Sequence, residues 1–270
     1  MKLSIVIGSY ELRHQIRKTI VSIMEAIERA SMKEVEVVIA DNSKENSVQD
    51  EIGEAREGIR VVECGMHDMS IHAAINKVAA DTEGEYLCIM IDGARIWSPG
   101  ILSKWKHLMS TNTVVHVPNY QLGKSHQMYR EKSGYSQETE ESLLEAIGWP
   151  NLKTKQLIEN SWCEEHAGCG PKIFESNCLF VSRSLWKAVG GFDTAFRRKD
   201  GGFASADLLN RLNAEGGKLK IISTEGTFHQ LHDGSTTTNP DKTRRALKEM
   251  TIEYKEIRGT RIRRVREANS

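Results

Sequence analysis

Short apolar runs alternate along this chain with longer stretches of helical spacing. "KLSIVIGS" opens it with a β-branched run closing on Gly8 and Ser9, the pattern of a buried strand followed by a turn. Residues 11–30 then place Leu12, Ile16, Ile20, Ile23, Met24 and Ile27 at helical intervals, which predicts an amphipathic helix. "VEVVIADNS" (35–43) and "IRVVEC" (59–64) predict two more strands, residues 70–80 a helix, and "YLCIMI" a fourth strand running into Asp92. Pro99 at a first-turn position, with Ser98 as cap, predicts a helix through about Ser110, and "TVVHVP" (113–118) a fifth strand. Strand and helix alternating at these lengths predict an α/β fold, a mostly parallel central sheet with helices on both faces.

Beyond residue 118 the pattern loosens. Helices are expected near 137–147 and 152–160, a strand over "ESNCLFVS" (175–182), helices over 183–192 and 205–217, and a strand over "KLKIIS". No repeat, low-complexity tract or linker divides the chain. Its 270 residues are 39% hydrophobic and 27% charged with a net charge of zero, so no overall field argues for nucleic acid. The N-terminal apolar run is too brief for a signal peptide or membrane span. Five cysteines form no CxxC pair, and Cys88 and Cys178 lie inside apolar runs as small buried hydrophobes would; a reducing cytoplasm is the expected compartment. From Asp241 onward ten Lys/Arg face five Asp/Glu, which reads as a solvated helix with a frayed basic tail. The functional reading of that tail is weak contact with an anionic membrane surface or an acidic partner.

Ligands of parallel α/β sheets collect outside the carboxyl ends of the strands, where both Asp41 and Asp92 are expected. The phosphate fingerprints GxGxxG and GxxxxGK[ST] are absent, so a nucleotide diphosphate bound here is neutralised some other way, most simply by a divalent cation. Asp92 is the candidate ligand for Mn²⁺ or Mg²⁺, and Ala94, where a second acid would complete Asp-x-Asp, cannot ligate. His229 and His232, followed by Asp233, stand in a loop over 224–239, and His229 is the candidate to share the ion with Asp92. Asp207 and Arg211, four apart on a helix, form either an ion pair or a base facing the cleft.

The order "SIVIGSY", "VVIADNS", "INKVAADTEGEYLCIMIDGA", "VSRSLWKAVGGFDTAF", "GGFASADLLNRL", "FHQLHDG" resembles family 2 glycosyltransferases of the GT-A fold, over roughly residues 3–235. The resemblance implies a nucleotide-sugar donor such as a UDP- or GDP-sugar, a divalent metal on its diphosphate, and inverting transfer to a hydroxyl of a glycan or glycolipid. It matches Gly8, Ser9, Tyr10 and Glu11 to a nucleotide-contacting loop, Asp41 and Asn42 to the base- and ribose-binding acid, and Asn76 to a donor-site helix. Ile91, Asp92 and Gly93 match the start of the metal motif, and His229 a histidine of the metal shell. Residues 1–118 are then the nucleotide-sugar half, 119–240 the acceptor-binding and catalytic half of the same domain, and 241–270 the basic tail. A cytoplasmic enzyme of bacterial surface-polysaccharide or glycolipid assembly, peripheral to the inner membrane face, fits this picture.

The chain departs from that family at two places. The metal motif reads Asp-Gly-Ala, and the Glu-Asp pair that would carry the base is Ala204 and Ser205. Asp207 is the first candidate for the base, with Glu175 or Asp193 from the acceptor side as alternatives. Trp97 and Glu175 are expected beside the acceptor, with Trp149 and Trp162, and segment 120–140 as a lid. A non-catalytic sugar-nucleotide or glycan-binding protein of the same fold is the principal rival. A nucleotidyltransferase and a zinc hydrolase built on His229, His232 and Asp233 are weaker ones.

Overall fold

A computed structural model of the chain describes residues 1–52, 58–67, 69–163, 169–198, 200–233 and 239–268. β1 (Leu3–Ser9), α1 (Arg13–Arg29), β2 (Val35–Asp41), α2 (Gln49–Ile52), β3 (Ile59–Glu63), α3 (Ile71–Ala80) and β4 (Tyr86–Met90) alternate in sequence. β5 (Arg95–Trp97), α4 (Ile101–Leu108), β6 (Thr113–His116) and β7 (Asn119–Leu122) follow, then a 3-10 turn at Gln127–Tyr129, α5 (Arg130–Ser133), α6 (Gln137–Ala146) and α7 (Thr154–Glu159). The chain ends through β8 (Ser161–Trp162), β9 (Lys172–Ile173), β10 (Cys178–Ser182), α8 (Arg183–Val189), α9 (Ala204–Ala214), β11 (Lys218–Ile221), β12 (Thr227–His229), α10 (Pro240–Arg258) and β13 (Val265–Arg266).

Seven strands form the central sheet in the order β11-β6-β10-β4-β1-β2-β3, all parallel to their neighbours except β10, which is antiparallel to both β4 and β6. Strands from both expected halves therefore share one sheet. Apolar side chains fill both faces, α1 and α4 covering one and α3, α8, α9 and α10 the other. A second sheet, β5-β12-β7-β8, has its own small core with Leu144, Leu152 and Leu157. Its strands are two to four residues long, too short for a period to show in the sequence.

Three expectations are corrected. Ser98 does not cap α4: the helix begins at Ile101 after Gly100, and Ser98 Oγ accepts a hydrogen bond from Gly226 N–H. Cys163 and Cys169 are joined as a disulfide, whereas Cys64, Cys88 and Cys178 are free and buried. The C-terminal segment is not a frayed appendage. Asn239 caps α10 by accepting from Lys242 N–H, Pro240 occupies the first turn, and Gly259 closes it in the left-handed region. Ala246, Met250, Tyr254 and Val265 are buried in the core, and β13 pairs with β9. Burying side chains the size of Met250 and Val265 stabilises by about 1.5–3 kcal/mol each.

Candidate active site

β1, β2 and β4 run parallel, so Ser9, Asp41 and Asp92 reach the same end of the sheet. β1 can come close to α3 there because residue 8 is glycine. A Cβ on Gly8 would stand 2.8 Å from Ile75 Cδ1 and 3.1 Å from Ile91 O.

Asp92 follows β4 in a tight turn in which Ala94 N–H donates to its Oδ1 at 2.9 Å. Its Oδ2 gathers three basic side chains: Arg95 Nη2 at 3.1 Å, His229 Nε2 at 3.0 Å and His232 Nε2 at 3.7 Å. The two imidazole Nε2 atoms lie 3.0 Å apart. Burial pushes the Asp92 carboxyl up, but Arg95, His232 and His229 together hold it well below the usual carboxylate range. Burial pushes His229 down to about 4, against the pull of Asp92. His232 is pushed down by burial as well, yet Asp92 prevails and its value is raised.

The histidines arrive from the second sheet. His229 ends β12, and its tautomer is fixed by Gln127, which is 1% exposed. Gln127 Nε2 donates to His229 O at 3.0 Å, which leaves its Oε1 to accept from His229 Nδ1–H at 3.0 Å. The lone pair of His229 Nε2 therefore points at Asp92 and His232. Glu140 of α6 accepts from Leu231 N–H at 2.7 Å, and Gln15 Nε2 of α1 donates to Leu231 O. Thr19 ties the two parts of the site together. Its hydroxyl donates to Gly93 O at 2.6 Å and accepts from Arg95 N–H and Gln230 Nε2.

Two imidazole nitrogens this close beside a carboxylate need a positive centre among them, a proton or a metal ion. Cis ligands about 2.1 Å from one ion stand roughly 3.0–3.4 Å apart, the spacing of the nearest two pairs. Asp92, His229 and His232 are the cluster that fits a cation among the described residues. Histidine from another sheet thus stands beside Asp92 where Ala94 offers no ligand, and His232 lies next to the expected pair. Asp233 turns away to Arg130, with Oδ1 2.6 Å from Nη2. Residues 234–238 of the same expected loop lie outside the described residues.

At the expected nucleotide end, the acids are engaged by their own loops. Asp41 is 3% exposed and accepts from Ser43 N–H and Oγ–H and from Ser47 Oγ–H and Val48 N–H. This is the turn-building role of an Asx residue. Asn42 pairs through its amide with both N–H and C=O of Met66. Glu11 sits at φ 56°, a costly region for a non-glycine residue, and is held there by two sets of contacts. Its N–H donates to Ser43 Oγ, and its carboxylate accepts the amides of Lys44 and Asn46. Ser9 is fully buried and its hydroxyl has no hydrogen-bond partner among the described residues, while Tyr10 is exposed.

Asp207, Asp193 and Trp97 are corrected by their surroundings, and the remaining expected positions are placed beside them. Asp207 is 1% exposed and cannot meet an acceptor hydroxyl. Its Oδ2 takes Arg211 Nε at 2.7 Å and Arg258 Nη2 at 2.8 Å, and its Oδ1 takes Arg258 Nε at 2.6 Å. Asp193 accepts Arg258 Nη2 at 2.5 Å and Ala195 N–H at 2.8 Å, so it belongs to the same clamp. Asn76 faces the "GGF" turn, bonding both N–H and C=O of Phe192. Trp97, 1% exposed against Phe180, is core and offers no face to an acceptor. Trp149 and Trp162 are half-buried around the second sheet, and segment 120–140 is built into β7, α5 and α6. Glu175 is half-buried and accepts a hydrogen bond from Ser205 Oγ at 3.1 Å.

No family model and no curated protein matches the chain. Solved structures do. The S. aureus TarS fragment 1–349 superposes with a TM-score of 0.55 at 13% identity, over 94% of this chain and 66% of that one. GalNAc-T7 with UDP, GalNAc and Mn²⁺ gives 0.58 at 11% identity, over 93% of this chain and 48% of that one. Glucosyl-3-phosphoglycerate synthase from Mycobacterium tuberculosis, with Mn²⁺, UDP and glucosyl-3-phosphoglycerate, gives 0.53 at 15% identity, over 96% and 80%. The chain therefore spans a little under two thirds of the TarS fragment and about half of GalNAc-T7. It has the mixed α/β fold of the GT-A glycosyltransferases.

Proposed function

We propose that this chain is a metal-dependent glycosyltransferase that moves a sugar from a nucleotide-diphosphate donor, most simply a UDP-sugar, to an acceptor hydroxyl with inversion. The observation that carries this reading is the Asp92–His229–His232 cluster at the carboxyl end of β4. Support comes from the shared fold and from the UDP and Mn²⁺ in the structures it resembles. Asp92, His229 and His232 would hold Mn²⁺ or Mg²⁺, whose chemistry is to neutralise the diphosphate and the charge that grows on the leaving nucleotide. The chain's own residues prepare that place. Gln127 keeps the lone pair of His229 directed inward, Arg95 balances the carboxylate of Asp92, and Thr19 fixes the 93–95 turn against Gln230. The first half, with Gly8, Ser9, Tyr10, Glu11, Asp41 and Asn42, would bound the nucleotide, mostly by shaping loops.

The acceptor reading is a glycan or glycolipid. No helix among the described residues is long and apolar enough to cross a membrane. Arg245, Lys248, Ile252 and Lys255 lie at i, i+3, i+7 and i+10 on the outer side of α10, all exposed. Each such cation adds on the order of 1 kcal/mol of attraction to an anionic surface. Cosedimentation with vesicles containing anionic lipid, and none with neutral vesicles, is expected; equal binding to both would remove this contact.

The decisive test is a thermal-shift panel of UDP, GDP, CDP, dTDP and ADP, each with Mn²⁺, Mg²⁺ or EDTA. A ligand at 100 times its Kd stabilises the folded state by about 2.7 kcal/mol. UDP with Mn²⁺ is expected to raise Tm, EDTA to abolish the shift, and Asp92→Asn to remove it without unfolding the protein. No shift with any diphosphate would defeat the donor site. Ala94, Ala204 and Ser205 favour one rival, a binding protein without turnover, which predicts the shift but no release of UDP from a UDP-sugar.

A further inference from the structure

The acids around the cleft differ in how much of each carboxylate is left open. Asp207 and Asp193 are held by Arg211 and Arg258, Asp92 by Ala94, Arg95 and the histidines, and Asp41 by four donors of its own loop. Glu140 is 4% exposed, with Tyr135 Oη–H and Leu231 N–H on one oxygen. Glu175 is half-buried and engages Oε2 alone, leaving Oε1 without a hydrogen-bond partner among the described residues.

Its place follows from the central sheet. β10 runs antiparallel beside β4, and Asn177 O accepts from Ile91 N–H at 3.1 Å, so the lead into β10 lies beside the turn carrying Asp92. Arg95, 3.1 Å from Asp92, also acts through its charge on Glu175. Ser205, in the first turn of α9 and 1% exposed, aims its hydroxyl at the carboxylate. One residue on, Ser176 is bonded to His116 Nδ1 of β6, which anchors the segment from its other side.

We propose that Glu175 is the catalytic base of the transfer and that Ser205 is the positioning residue that holds its carboxylate. This rests on the glycosyltransferase reading. Glu175 Oε1 takes the proton of the acceptor hydroxyl, and the freed oxygen electron pair forms the bond to the anomeric carbon. The bond from that carbon to the diphosphate oxygen breaks, and its electron pair leaves with the nucleotide. Where no acceptor is present, water takes the acceptor's role and the sugar is hydrolysed from the donor. Burial raises the Glu175 carboxyl above its ordinary value, with the Ser205 hydroxyl and Arg95 opposing. A base works deprotonated, so activity rises with pH through that raised value. Removing the Ser205 hydroxyl favours the protonated form and moves this limb to higher pH.

The test pairs UDP release from UDP-glucose and UDP-N-acetylglucosamine with calorimetric binding of UDP and Mn²⁺. Glu175→Gln is expected to slow release by about 10²–10⁴-fold with UDP binding unchanged. Ser205→Ala retains activity with its acidic limb displaced to higher pH. The double variant Glu175→Gln/Ser205→Asp, which returns a carboxylate to α9, regains at least part of the lost rate. Glu175→Gln at wild-type rate overturns the assignment alone; a wild type that binds UDP but hydrolyses neither donor is the binding protein without turnover, and the glycosyltransferase reading and the assignment fall together. A wild type that binds none of UDP, GDP, CDP, dTDP and ADP with Mn²⁺ defeats the glycosyltransferase reading itself, and the assignment falls with it; where another of the five binds, its sugar nucleotides replace the UDP donors in the assay.

Discussion

His72 shows how a single side chain carries information about the whole fold. It lies in the first turn of α3, 3% exposed, 4.1 Å from the ring of Phe192, with Nδ1 bonded to Ser70 Oγ and Nε2 without a hydrogen-bond partner among the described residues. Burial pushes it down to about 3, against the charge of Asp200. An unfolded chain protonates this histidine below about pH 6.5, whereas the folded protein does not until about pH 3. The folded value is depressed, so stability is lost as pH falls through that window, by about 1.4 kcal/mol per unit. Urea unfolding of the wild type and His72→Gln at pH 7 and pH 5 checks this. The wild type is expected to lose more stability between the two, and equal losses would rule it out. Nothing about His72 was legible in the sequence, where it reads as one polar residue in a helix. Asp92 was legible, because an acid ending a continuous apolar run has few structural uses. His232 was half legible: its spacing from His229 shows, but the sheet that turns both toward Asp92 does not.

Among the elements, α10 departs furthest from its sequence pattern. Its charge suggested a solvated helix, yet its buried stripe of Thr243, Ala246, Met250 and Tyr254 recurs at three- and four-residue intervals. The decisive contact is Arg258, one guanidinium shared by Asp207 and Asp193. Replacing Arg258 by Met leaves the buried Asp207 with Arg211 alone and should cost about 2 kcal/mol. That is below the value for a fully buried pair because the Arg258 side chain is 26% exposed. Ending the chain after Asn239 should prevent cooperative folding, since it uncovers one face of the core; a truncated chain with wild-type Tm would restore the frayed-tail picture. The same clamp explains why Asp207 misled. An i,i+4 Asp–Arg pair looks alike whether it faces a cleft or a second arginine 51 residues further on. The inner strands β1, β4 and β10 were legible because each is an apolar run buried on both sides. β5, β7, β8 and β12 were not, since strands this short carry no period of their own.

For the molecule as a whole, two separate sheets meet at one place. Asp92 leaves the end of the large sheet, His229 ends a strand of the small one, and no strand is common to both. Thr19, on a helix that belongs to neither, laces the turn after Asp92 to the residue after His229. An ion gripped by Asp92, His229 and His232 would thus act as a rivet through a seam. Its loss would be felt first as slack in the smaller plate, with the broad sheet keeping its shape, so that emptying the centre loosens the joint before it weakens the frame.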